Sequence, residues 1–173
     1  VIIHNDSQIN VDFKENGNYI IVTDFDKNDI TFNVLDNVSV NVVLFSKIKS
    51  NVNLNVTINE NANLKINVIS MNNSTTDIYN FNLVKEYATL EMNVLSLAKE
   101  AKKEFIYNVN HLAPETKSSV SNYGISFDNG KNHFKVNGII KQNMKNSDVR
   151  QITKGLILSP TGECLAEPIL LID

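Results

Sequence analysis

Apolar and polar residues alternate along most of this chain, the period-two signature of strands with one buried face. Val38, Val40, Val42 and Leu44 alternate with Ser39 and Asn41, with Val43 a further apolar residue. Val52, Leu54, Val56 and Ile58 alternate with Asn53, Asn55 and Thr57, and Leu64, Ile66 and Val68 with Lys65 and Asn67. Ile78, Asn80 and Asn82 interleave with Tyr79, Phe81 and Leu83. Phe134, Val136 and Ile140 mark a later strand, as do Leu156 and Leu158. The pattern predicts an all-β chain.

One segment competes with that reading. Ser96–Glu104 is built of good helix formers and on local propensity alone could make two helical turns. Leu95 and Leu97 continue the alternation before it, however, and Phe105, Tyr107 and Val109 resume it afterwards. The expectation is strand, charged corner, strand.

The segments 51–58 and 61–68 match position for position at an offset of ten residues, as stacked coils of a solenoid would. An antiparallel meander also repeats at such spacings. Hairpin signals are few, with Asn16-Gly17 and Asn129-Gly130 as Asn-Gly pairs at corners. Asn, Asp, Lys and Ser fill the other corners, and Asn tolerates the left-handed backbone that a solenoid corner needs. Pattern alone leaves solenoid and sandwich both open, within a single domain over residues 1–173.

Composition narrows the function. A net charge of −3 gives no electrostatic reason to expect nucleic acid or acidic lipid. No apolar run reaches the roughly 20 residues of a membrane-spanning helix, and no leader pattern is present. The single cysteine, Cys164, suits a cytoplasmic location. Asn-x-Ser/Thr triplets at Asn5, Asn37, Asn55 and Asn73 follow from 28 asparagines rather than from glycosylation. The first residue is Val1, which suggests an excised fragment.

The stretch from Val109 to Asp173 carries a more specific signal. It holds Val109-Asn110-His111 followed by Pro114, Thr116 and Ser118, then Tyr123–Phe127, the turn Asp128-Asn129-Gly130, and Phe134–Gly138 leading into Ile139 and Ile140. Ser147-Asp148-Val149-Arg150-Gln151 follows, then Leu156–Ser159 and Pro168, Leu170 and Ile172. In order and spacing these elements resemble the core of the SufB/SufD family, scaffold subunits of iron–sulfur cluster assembly. The resemblance implies a right-handed parallel β-helix of two flattened sheets. It also implies a non-catalytic subunit that pairs with a second scaffold and binds a SufC-type ATPase through a C-terminal helical segment, with a cluster bound only transiently. The family's acidic pair, Ser-His-Gly-Ala-like segment and helices have no counterpart here, so the chain is expected to be a β-helix core without that segment.

Candidate site residues follow from this reading. The functional cysteine of SufB-type scaffolds would fall at Gly162 rather than Cys164, which favours a SufD-like role. Cys164 alternates with Glu163 and Leu165 and reads as a small inward residue, and as a weak metal candidate. His111, at the strand-to-loop junction, is the other metal candidate, although hydrogen bonding at a corner suits it better. His4 and His133 show no partners and are expected to face water. A terminal coil exposes apolar core and unpaired backbone, so Ala166, Pro168, Leu170 and Ile172 are expected to form an interface, with a second scaffold or by self-association.

Two other classes remain as alternatives. An adhesive or structural β-solenoid would use its faces without chemistry. A polysaccharide-cleaving β-helix would need an acidic cluster, for which Asp24, Asp26 and Asp29 are the candidates. No nucleophile elbow, phosphate loop or zinc-protease helix is present.

Overall fold

The computed structural model describes residues 2–4, 7–46, 50–71, 74–140 and 146–172. Val1, Asn5, Asn73 and Asp173 lie outside them, as do the side chains of His4, Ile140 and Ile172. The strands are β1 (Ile2–His4), β2 (Gln8–Phe13), β3 (Gly17–Thr23), β4 (Lys27–Val34), β5 (Ser39–Ser46), β6 (Asn51–Ile58) and β7 (Asn63–Ser70). They continue as β8 (Thr75–Leu83), β9 (Thr89–Lys99), β10 (Lys102–His111), β11 (Lys117–Phe127), β12 (Lys131–Ile140), β13 (Asp148–Ile157) and β14 (Glu163–Ile172).

Odd-numbered strands form one seven-stranded sheet and even-numbered strands the other, every pair parallel and in chain order. The chain thus crosses from sheet to sheet at each corner, a two-sheet β-solenoid. That settles the choice between solenoid and sandwich. Ser96–Glu104 is strand, corner, strand, with β9 ending at Lys99 and β10 beginning at Lys102. The helix-forming residues there lose to an alternation that places Ala98, Ala101 and Phe105 inside.

Two expectations need correction. The segments 51–58 and 61–68 are not stacked: β6 and β7 lie in opposite sheets, so their offset measures half a coil. The full coil is 23 residues where Ile20 meets Val43 and widens to 32 where Val136 meets Pro168. Leu156 and Leu158 do not point inward. The inward frame of β13 runs through Gly155 and Ile157, opposite Gly124 and Ser126, and Leu158 lies just past the strand.

The core between the sheets comprises one face of each strand: Ile30, Phe32 and Val34, Val40, Val42 and Leu44, Val52, Leu54, Val56 and Ile58 are all nearly closed to solvent. Parallel register places like on like. Phe105 stacks on Phe134 at 5.1 Å and Tyr79 on Tyr107 at 5.5 Å. Outside, Asn80 donates to Asn55, Asn108 to Asn80 and Asn137 to Asn108, at 2.8–2.9 Å.

Among the described residues, the corners that lead out of β4, β6, β8, β10 and β12 each hold a residue with left-handed backbone, namely Asn37, Asn61, Tyr87, Glu115 and Asn146, whereas the β2–β3 corner has none. Only three of these are asparagine, so the corner geometry is imposed by the coil and not by residue preference alone. Glu100 and Asp128 do the same at two opposite corners.

Gly130 marks the tightest corner. A Cβ there would stand 2.0 Å from the Ala98 carbonyl oxygen, which belongs to backbone and cannot rotate away. At Gly138 the nearest atoms are the methyl groups of Leu170 and Val149 at 3.3 Å. Gly130→Ala is expected to cost about 3 kcal/mol or more, as overpacking against a fixed backbone does, and Gly138→Ala much less. Paired urea melts of the two variants check this; equal midpoints would refute it.

Candidate functional site

Three places carry chemistry-bearing side chains: the His111 corner, the last coil around Cys164, and the outer face at His133.

At the first, β10 ends with the His111 side chain turned into the lumen and fully buried. The chain turns at Glu115 and re-enters the opposite sheet at Lys117, which brings Thr116 and Ser118 over the ring. His111 Nδ1 lies 2.8 Å from Thr116 Oγ1, and Nε2 lies 2.9 Å from Ser118 Oγ. The Thr116 hydroxyl donates to the Ala113 carbonyl at 3.0 Å, so its oxygen is left to accept from the ring. This order fixes the tautomer: Nδ1 carries the proton and Nε2 accepts from Ser118. Ser147, from the following coil, reaches Thr116 Oγ1 at 3.0 Å and ties the next corner to this one. A hydroxyl on a bare imidazole nitrogen has the form of a nucleophile–base pair, but Ser118 is itself buried. The arrangement works as a stitch between coils.

Burial pushes the His111 pKa down to about 4, against smaller upward pulls from Thr116 and Asp148.

Cys164 is the second candidate. It faces inward on β14, in register with Asn132, and is half-buried at the edge of the described residues. Its thiol pKa is raised by burial. Two glycines make room for it: a Cβ at Gly155 would lie 2.7 Å from Sγ, and one at Gly124 3.0 Å. The structure does not bring His111 and Cys164 together. His111 is in register with Ile140 and, through it, Ile172, eight residues along β14 from Cys164. That is a separation of about 26 Å at the rise of an extended strand, too far to share an ion. Among the described residues no group of three or more His, Cys, Asp or Glu side chains is placed to hold a metal ion.

His133 does not simply face water, as expected. It lies on the outer face between Glu167, 3.2 Å from Nε2, and Glu104, 3.8 Å from Nδ1, while Lys135 pairs with the same Glu104 oxygen at 2.9 Å. The two carboxylates flank opposite edges of the ring, which suits an ion-pair ladder over β10, β12 and β14 and not chelation. The acidic group near the N-terminus does not converge either. Asp24 and Asp26 sit exposed at a corner, while Asp29 pairs with Lys27 and accepts from Asn53.

The last coil is the most unusual surface. On β14 the inward positions are Cys164, Ala166, Pro168 and Leu170, continuing the inward frame of β12. The outward positions Leu165, Ile169 and Leu171 are apolar too, opposite His133, Asn137 and Ile139 of β12, while Glu163 and Glu167 on that face remain charged. Leu170 and Leu171, on opposite faces, are 53% and 54% exposed. Both β13 and β14 have a strand neighbour on one side only. Among the described residues, Ala166, Pro168 and Leu170 therefore lie together along the outermost strand of the even sheet.

The model of the SufBD core domain, described as "SUF system FeS cluster assembly", matches residues 2–173. The chain belongs to the SufB/SufD family. No curated protein and no solved structure matches it. The match joins this SufB/SufD core to iron–sulfur cluster assembly, in a system whose members work with other subunits. Among the described residues no helix is long and apolar enough to cross a membrane.

Sequence reasoning missed Asp77 and Lys103, both buried in the lumen. Their signal was the strand frame: Asp77 is in step with Tyr79, Phe81 and Leu83, and Lys103 with Phe105, Tyr107 and Val109. Lys103 falls in the segment expected to be an exposed charged corner, which its burial corrects, and Asp77 drew no reading at all.

The pH dependence of the His111 corner follows from its lowered pKa. The unfolded chain takes up a proton near 6.5, whereas the folded chain resists until about 4. The contribution is therefore complete above 6.5 and is lost as pH falls toward 4. Its size is on the order of 2–3 kcal/mol at most. Urea unfolding at pH 7 and pH 4.5 should show a drop for the native protein that His111→Gln lacks. An equal drop in both would place the acid sensitivity elsewhere.

Proposed function

We propose that this SufB/SufD core is a non-catalytic, SufD-like scaffold subunit whose C-terminal coil pairs with a second scaffold. The observation that carries the reading is the strand β14, which has apolar side chains on both faces and, among the described residues, no strand along its outer edge. An exposed strand of ten residues with apolar side chains on both faces is a template for another chain unless covered. Pairing through Ala166, Pro168 and Leu170 would cover the lumen and complete the β14 edge. A second SufB/SufD-type subunit fits best, since its own β-helix would present the same kind of end; a second copy of this chain is the homotypic form. The cluster is cargo at that junction and not a resident group, and Cys164, half-buried near the open end, is the thiol nearest to it. A SufC-type ATPase would be engaged through a helical segment of the full-length subunit, in the cytoplasm.

Light scattering on the chain, alone and mixed with a SufB-type subunit, tests this. A dimer or heterodimer is expected, and Leu170→Glu should reduce pairing at least tenfold while leaving the strand content seen by circular dichroism intact. A strictly monomeric chain at high concentration, with or without the SufB-type subunit, would refute the proposal.

A further inference from the structure

Asp77 and Lys103 stand inside the solenoid with no direct contact between them. Asp77 is completely buried on β8, and Lys103 is 1% exposed on the adjacent β10. The Lys103 ammonium donates to Ser70 Oγ and to the Met71 carbonyl, each at 2.6 Å, which uses two of its three protons. Asp77 accepts the Val52 N–H at 3.0 Å through Oδ1 only. Its Oδ2 has no hydrogen-bond partner in the protein.

Three further polar atoms gather there. Thr75, Asp77 and Tyr79 are successive inward positions of β8, and Lys103 and Tyr107 lie beside Thr75 and Tyr79 in register. The hydroxyls of Thr75, Tyr79 and Tyr107 are buried without partners. The stacking of Tyr79 on Tyr107 keeps their hydroxyls at one level, and both rings sense the Asp77 charge. The Tyr79 hydroxyl is near enough to Asp77 to draw its pKa down as a hydrogen-bonding neighbour, yet in distance and angle the contact falls short of a formed hydrogen bond, and both oxygens stay unpartnered.

Four buried, unpartnered oxygens in one part of a packed lumen are not a stable dry arrangement. Each unpaired buried polar group costs about 1–3 kcal/mol, and an uncompensated charge more. A buried water, by contrast, makes about three hydrogen bonds to such groups. We infer that the lumen between Asp77, Tyr79, Tyr107 and Lys103 is an internal hydration site, holding ordered water that bridges the Asp77 carboxylate to the Lys103 ammonium. Water accepts a hydrogen bond from the third N–H of Lys103, donates to Asp77 Oδ2, and reaches a tyrosine hydroxyl with what remains. Thr75, at the corner end of the same row, is the place for a second molecule. The strong burial of both charges is consistent with this: desolvation lifts Asp77 to about 6 and lowers Lys103 to about 8, so each retains its charge at neutral pH with water between them.

The two states of the site predict opposite signs. In a hydrated site, Tyr107→Phe removes a water ligand, so the melting temperature falls by a few degrees, and Tyr79→Phe does the same. In a dry site the same changes delete an unsatisfied hydroxyl and raise it. A crystal structure of the native chain at a resolution that shows waters gives the direct result. Density within hydrogen-bonding distance of Asp77 Oδ2 and a tyrosine hydroxyl is expected. Empty density, Asp77 rotated into direct contact with Lys103, or raised melting temperatures in both variants would overturn the inference.

Discussion

In a parallel solenoid each side chain stacks on the residue that occupies the same position one coil away, about 4.8 Å distant. That constraint organises everything else in this molecule. A position is workable only if its residue is compatible with its own kind or with a complement. Aromatic rings satisfy it by stacking, as Phe105 does on Phe134. Charges satisfy it by alternating, as Lys65 with Glu91 and Lys131 with Glu163 do across adjacent strands. Asparagine satisfies it best on the wet face, because its amide is both donor and acceptor and can bond to a copy of itself. The 28 asparagines are the compositional trace of that rule.

The same rule shapes the interior. Thr23, Ser46, Ser70 and Ser96 form an inward row in register along the odd sheet, beside the corner that leads into the even sheet. Their small hydroxyls let the corner turn and give the lumen polar groups of its own. Across the lumen these meet Lys103 and Asn132: Ser70 accepts from Lys103, and Ser96 donates to Asn132 at 2.5 Å. A lysine can be buried there because the opposite row already supplies oxygen, and only because of it. The polar corner and the apolar centre are thus two parts of one cross-section, repeated coil after coil.

Much of this was legible before any coordinates. Alternation identified the strands and the correct face for Leu54, Val56 and Ile66, and it overruled helix propensity at Ser96–Glu104. The ordered motifs after Val109 pointed to the family. What stayed hidden had physical causes. Half-coil and full-coil spacings look alike in a sequence, so 51–58 and 61–68 were read as stacked when they lie across the lumen. Left-handed corners were invisible at Tyr87 and Glu115, because neither residue advertises that backbone. His111, Thr116 and Ser118 were found together in one motif, but their contact was not, since it forms only when the corner at Glu115 folds the two hydroxyls over the ring.

The two ends of the solenoid are not equivalent, and composition shows why. Early coils fill the lumen with Ile30, Phe32, Leu44, Leu54 and Val56, and each coil holds the next by apolar burial. Toward the C-terminus the inward frame takes in Ser118, Asn122, Ser126, Asn132 and finally Gln151 and Thr153. In a stacked array, stability is carried by the interfaces between neighbours, so each inward polar residue weakens the coupling of the last coils to the rest. Apolar residues have meanwhile moved to the outer positions of β14, at Leu165, Ile169 and Leu171, where they contribute nothing to a solitary chain. A lumen that becomes polar while its outer face becomes apolar is poorly arranged for a free end. It suits a coil whose outer face and edge are covered, a requirement that the proposed pairing through β14 would meet.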